Sequence, residues 1–250
     1  MAGACGLAGL RPAPHLGLKS NPMGEAMIPS RSRVLLAEAV GTAFLLAGVV
    51  GSGIMAARLS PNDAGLQLLQ NAVATAGVLV AIISIFGTIS ADFNPAVTLG
   101  AWALGHRPGR DVVPMVAAQV IGAVSGTVVA NLMFDLDAVS WSTTERSGGH
   151  LWLAEVLATV GLLLVVFALV RTARMAHIPY VVAAYIGAAY YFTSSTSFAN
   201  PAVTVGRAFS DTFAGIDPSC APMFIVMQLV GVGVASVLLR ALFPVSAPTG

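Results

Sequence analysis

Two near-identical heptads constrain the fold of this chain more than anything else in it: residues 94–100 read NPAVTLG and residues 200–206 read NPAVTVG. Asn-Pro is a helix start, because Asn caps free N–H groups and Pro suits the first turn. The apolar stretches that follow, 94–104 and 200–209, are short. At about 1.5 Å per residue neither crosses a hydrocarbon core of about 30 Å. In an otherwise hydrophobic chain they read as re-entrant half-helices. Such backbone persists at membrane depth only where it is buried in protein or lines a wet cavity.

The rest of the chain supplies the membrane. Six stretches are long and apolar enough to span it, or nearly so: 34–57, 65–86, 112–134, 151–170, 176–192 and 221–243. The fifth is short and ends in the polar run 193–197. Charged residues make up only 9% of the 250, against about 25% in soluble domains, which is too few to clothe a water-facing surface. Residues 1–32 differ in being rich in Gly, Pro and Ala, with Arg11, Lys19 and Arg31. They lack the charged-then-apolar-then-cleavage order of a signal peptide. They are expected to form a disordered cytoplasmic tail, with Met23 or Met27 as alternative starts. The expected organisation is a tail at 1–32, a membrane domain at 33–243 and a C-terminal tail at 244–250.

The two halves repeat each other. Ala37-Glu38 followed by Thr42 matches Ala154-Glu155 followed by Thr159, and Gln119 and Gly122 match Gln228 and Gly231. The offsets at Glu, Asn and Gln are 117, 106 and 109 residues, the same within loop-length variation. Three spans per repeat force the second copy to enter the membrane from the opposite side, giving an inverted repeat with its site near the midplane. The Asn-Pro ends of the two half-helices then meet in the middle. With the N-terminus inside, nine of the twelve Lys and Arg residues fall on cytoplasmic segments and only Arg58, Arg146 and Arg207 fall outside. This bias places both termini in the cytoplasm of a multi-pass cell-membrane protein. Gly122 with Gly126, and Gly231 with Ala235, form small-x-x-x-small faces that read as helix packing.

Paired Asn-Pro-Ala motifs (Asn94, Pro95, Ala96 and Asn200, Pro201, Ala202) with Glu-x-x-x-Thr on the first and fourth spans resemble the aquaporin and aquaglyceroporin family over roughly residues 33–243. The resemblance implies an all-α membrane fold of six spans and two half-helices in an inverted 3+3 repeat. It also implies a homotetramer in the bilayer with one pore per protomer, no cofactor, and passage of small uncharged solutes. Each half-helix N-terminus carries roughly half a positive charge. Asn94 and Asn200 are expected to point amide donors into the lumen, and the dipoles to repel cations, as described for aquaporin-type pores. Glu38 and Glu155 lie inside spans, where a carboxylate is a functional candidate. A proton relay is one reading. The other is that each Glu accepts from backbone donors of its own re-entrant loop. The symmetry, and the lack of a third carboxylate to extend a chain, favour the second.

In the family a narrow outer constriction sets selectivity. Counting from the motif Asn residues, its positions fall on Ala74, Ala188, Ser197 and Val203, with Val203 where an Arg is usual. The expected ring is wide, apolar and uncharged. It is similar to that of a bacterial branch linked to arsenic resistance, whose substrate is neutral arsenous acid or a related arsenical; glycerol is the other candidate. Asp92 stands where the family commonly has His. It is expected either to bond local backbone or to form a gate or solute contact in the cytoplasmic vestibule. Arg207, one turn beyond Val203, is expected to be solvated at a helix end, or to hold a positive charge at the outer mouth with Asp211 as its partner.

Other classes fare worse. An ion-coupled secondary transporter also uses inverted repeats and broken helices, but few charges lie in these spans to couple an ion. A water and glycerol facilitator without a metalloid role stays open. Nothing supports a structural junction protein. Cys5 and Cys220 build no disulfide framework or metal spacing, the net charge of +1 invites no nucleic acid, and no nucleophile–base pair or phosphate loop points to an enzyme.

Overall fold

The computed structural model describes residues 29–244; of the expected tails at 1–32 and 244–250, residues 1–28 and 245–250 lie outside the described residues, and Arg31 and Ser32 already belong to the first helix. Eight α-helices follow in order: α1 (Arg31–Leu59), α2 (Ala64–Phe86), α3 (Pro95–Ala103), α4 (Val112–Met133), α5 (Gly149–Arg171), α6 (Ile178–Phe192), α7 (Pro201–Arg207) and α8 (Ala221–Leu242). Their starts are local chemistry. Asp63 Oδ1 accepts from Leu66 N at 2.9 Å to open α2, and Asn94 Oδ1 accepts from Ala96 N at 2.8 Å to open α3. Five helices are long and apolar enough to cross a membrane. The fifth span, α6, has 15 residues, about 22 Å of helix, and a 3-10 turn at Met175–His177 leads directly into it. The short α3 and α7, of nine and seven residues, are the two half-helices.

Packing follows the repeat. In the first half α1 lies along α4 and α2; in the second, α5 lies along α8 and α6. The half-helices cross over, so that α3 packs on α8 as well as on α4, and α7 on α4 as well as on α8. The α1–α4 contact is close enough to exclude side chains. A Cβ at Gly122 would sit 2.2 Å from the Ala39 carbonyl oxygen, and one at Gly126 would sit 2.1 Å from that of Ala43. Glycine is required at both positions, and the small-residue face is where the two backbones meet.

One end of the bundle carries both termini of the described chain. There Arg31 Nη2 donates to Arg110 O at 3.0 Å and Arg240 Nη2 to Ala103 O at 2.6 Å. Arg171 Nη1 reaches Leu239 O and Phe243 O, both at 2.6 Å, a cation on helix C-terminal carbonyls. At the opposite end Arg58 donates to Phe134 O, tying α1 to α4.

Candidate functional site

The two Asn-Pro ends meet at the centre and exchange hydrogen bonds. Asn94 Nδ2 donates to Ala199 O at 2.8 Å, and Asn200 Nδ2 donates to Phe93 O at 2.8 Å. The two carbonyls belong to residues in the left-handed region, Phe93 at φ 48° and Ala199 at φ 47°. Such a conformation is unfavourable for a side-chain-bearing residue and persists only where its surroundings fix it.

The buried glutamates provide that support. Glu38 Oε1 accepts from Asp92 N at 3.0 Å and from the Ser90 hydroxyl, and Oε2 accepts from Phe93 N at 2.7 Å and Gln119 Nε2 at 2.8 Å. Glu155 accepts from Phe198 N at 3.0 Å, Ala199 N at 2.9 Å and Gln228 Nε2 at 2.6 Å. Both glutamines continue to the half-helices, Gln119 to Thr98 Oγ1 and Gln228 to Thr204 Oγ1, each at 2.9 Å. Each carboxylate therefore holds the strained loop of its own half, and its hydrogen bonds are charge-assisted. Sequence comparison of the halves marked the two glutamines as matched positions without assigning them a role.

A cavity of about 580 Å³ runs past this centre, from His106 and Arg107 at the terminal end, between Asn94 and Asn200, to Tyr190 and Arg207 at the other. Each central amide spends one N–H on the opposite loop and keeps a second beside the lumen. Most of the remaining wall is apolar, with Leu45, Val49, Leu79 and Val203 among its residues.

The four positions expected to form the constriction do not all face the cavity. Ser197 and Val203 line the cavity; Ala74 and Ala188 do not. Ala188 is exposed on the outer surface of α6 and Ala74 is half-buried at the side of α2. The inward stripes are Thr75, Leu79 and Ile83 on α2, and Val182, Ile186 and Tyr190 on α6, each spaced by four as a helix face requires. Thr75 and Tyr190 therefore occupy the wall where the two alanines were expected, with Thr75 Oγ1 3.2 Å from Tyr190 Oη. This pair adds a polar and aromatic element to the cavity wall in place of two small apolar side chains.

Arg207 is not solvated at a helix end. It is buried, 3% exposed, and lines the cavity. Its Nε donates to Ala214 O, and its guanidinium lies over the Phe198 ring, 3.5 Å from the centroid. Asp211 is not its partner: that carboxylate accepts from Thr143 N at 2.9 Å and Thr143 Oγ1 at 3.1 Å. A second cation, Arg146, donates to Gly215 O at 2.8 Å and stands 5.1 Å from the same ring. Burial lowers its guanidinium below the ordinary value. Neither arginine has an ion-pair partner among the described residues, so this end of the cavity is positive. Arg146 lies in irregular backbone after α4, where no periodic signal could have found it.

At the terminal end Asp92 bonds side chains rather than local backbone. Its Oδ2 accepts from Thr98 Oγ1 at 2.8 Å and pairs with Arg107 Nη2 at 3.0 Å.

A family model described as "Major intrinsic protein" matches residues 25–199. The chain is 46% identical over 218 residues to the aquaglyceroporin AqpS of Rhizobium meliloti (strain 1021), covering 87% of this chain and 93% of that one. It is 29% identical over 237 residues to the aquaporin AqpM of Methanothermobacter thermautotrophicus, covering 83% and 96%. Among solved structures, the aquaglyceroporin from Plasmodium falciparum superposes with a TM-score of 0.64 at 18% identity, covering 84% of this chain and 96% of that one. That last likeness speaks to the fold alone.

Proposed function

The chain belongs to the major intrinsic protein family of membrane channels, and from that premise we propose that its conduit passes small polyhydroxylated neutral solutes, glycerol and neutral metalloid hydroxides such as arsenous acid among them. One observation carries the reading: the lining is amphipathic and holds no carboxylate without a cation. Its residues combine donors, namely the Asn94 and Asn200 amides, Tyr190 and Arg207, with the aliphatic side chains of Leu79, Val49 and Val203. A polyol or a trihydroxide has the matching build, with hydroxyl oxygens that accept along one edge. A cation meets two arginines and the half-helix N-termini and has no counter-charge to replace its water.

The name of the Rhizobium relative, an aquaglyceroporin, supports the polyol part of this reading; the metalloid part rests on Val203 standing where an arginine would narrow the ring. Four protomers in the bilayer, each with its own conduit and with both termini cytoplasmic, complete the proposal. It is supported by the apolar outer faces, with Leu36 and Leu153 largely exposed, and by the arginines gathered at the terminal end. Proteoliposomes holding the full chain, given water, glycerol, urea and arsenous acid in parallel, test it. Glycerol and arsenous acid should enter faster than into empty liposomes, with or without ionophores. Passage of water alone would refute the polyol reading, glycerol without arsenous acid the metalloid one, and collapse under an ionophore would point to an ion-coupled transporter.

A further inference from the structure

The terminal end of the conduit carries a cluster with no counterpart in the other half. Asp92 stands two residues before Asn94, and the matching residue two before Asn200 is Phe198. A guanidinium meets each of them, Arg207 on Phe198 and Arg107 on Asp92, so one end of the conduit is positive while at the other the charge is cancelled. Asp92 is fixed from behind by its backbone N–H on Glu38 Oε1 at 3.0 Å and by Thr98 on its Oδ2. Both members of the pair are mostly buried, with side chains 15% and 22% exposed, and both line the cavity.

The pair is not saturated. Asp92 uses Oδ2 for Thr98 and Arg107, while its Oδ1 has no hydrogen bond to a described residue. Arg107 meets that carboxylate through Nη2, and its partly exposed guanidinium keeps further N–H groups toward the cavity. A carboxylate oxygen is acceptor-only and a guanidinium is donor-only. Side by side, the two present complementary hydrogen-bonding groups with no net charge to draw in an ion.

We propose that Asp92 and Arg107 form a second solute-binding station, which takes a neutral solute bearing hydroxyl groups on adjacent atoms: one hydroxyl donates to Asp92 Oδ1 while its neighbour accepts from Arg107. This rests on the conduit being a neutral-solute pathway. The two residues then determine specificity at the terminal end, because they replace two of the waters a vicinal diol sheds on entry. A solute with one hydroxyl, or with hydroxyls set further apart, engages only one member of the pair.

The test compares water, glycerol and 1,3-propanediol in proteoliposomes of the full chain; the last has as many carbons as glycerol but no adjacent hydroxyls. In the Asp92→Asn, Arg107→Gln double variant, which stays uncharged at this site, the glycerol-to-water permeability ratio is expected to fall about tenfold, one charge-assisted hydrogen bond's worth. The 1,3-propanediol-to-water ratio should move much less. Equal falls in both ratios, or an unchanged glycerol ratio, would overturn the station. If the double variant fails to assemble, Arg107→Lys decides, since it keeps the charge while losing the planar fork: a lowered glycerol ratio supports the station and an unchanged one overturns it. A parent protein that passes no glycerol would instead sink the function proposed above, and the station with it.

Discussion

Glu155→Gln changes almost nothing in shape and should nonetheless be costly. The residue is fully buried and its two oxygens accept from Phe198 N, Ala199 N and Gln228 Nε2. The better orientation of a glutamine keeps its oxygen at the Oε2 position, serving Ala199 and Gln228, and turns its own amide nitrogen against the Phe198 N–H. One buried backbone donor is left unsatisfied, at about 1–3 kcal/mol, and the two surviving bonds fall from charged to neutral strength, at about 1 kcal/mol each. Removing a buried charge offsets part of this, leaving a net destabilisation of about 2–4 kcal/mol. For a chain of this size that corresponds to a melting point lower by roughly 5–15 °C, measured on detergent-solubilised protein. Solute flux should fall as well, because Ala199 at φ 47° loses part of what holds its carbonyl toward Asn94. Thr159→Val is the control: its hydroxyl is buried without a partner, so an isosteric methyl should leave the melting point equal or higher. A Glu155→Gln protein that melts within about 2 °C of the parent, with parental flux, would refute the support role.

Five further substitutions probe the pore and the helix packing. Asn94→Asp and Asn200→Asp each place a carboxylate at the positive half-helix ends, and sodium or proton leak into proteoliposomes should rise; tight liposomes from both variants would contradict the barrier. Val203→Arg sets a second guanidinium one turn from Arg207, so glycerol flux should drop more than water flux, and equal drops would argue against a selective constriction there. Arg207→Ala removes a buried cation that has no acidic partner, so cation leak should increase while glycerol still passes, whereas an assembled variant that stays tight to sodium would remove Arg207 from the barrier. Gly126→Ala drives a methyl into the Ala43 carbonyl, 2.1 Å away, and should cost at least 1–3 kcal/mol by overpacking; normal yield of assembled protein would show that the helices can part without penalty.

What the sequence made legible is what it states twice. The half-helix starts, the glutamates and the matched glutamines occur in both halves, and all of them converge on the centre. Two of the four expected filter positions, Ala74 and Ala188, lie off the cavity wall for a geometric reason. Counting back from Asn94 and Asn200 passes through irregular backbone, residues 87–93 in one case and 193–199 in the other, with Thr196, Ser197 and Ala199 all in the left-handed region. Fixed offsets lose helical phase there, landing one residue from Thr75 and two from Tyr190. The periodicity of each helix was the better guide, since Thr75, Leu79 and Ile83, and Val182, Ile186 and Tyr190, already stood four apart. The burial of Arg207 was not legible because its acceptor, the Ala214 carbonyl, comes from the segment after α7 and leaves no trace in the spacing.

The crossed amides at the centre bear on the order in which the molecule can be completed. Asn94 reaches Ala199 and Asn200 reaches Phe93, pairings that span 105 and 107 residues. A chain emerging from the ribosome has its first three spans in place well before the later partners exist. Until then the Asn94 amide and the Phe93 carbonyl must be met by water or by a helper, because an unmet polar group in hydrocarbon costs several kcal/mol. Closure of the centre is therefore a late, long-range event, of the kind that slows folding. A truncated first half would carry an open polar wound and would be a marked substrate for membrane quality control.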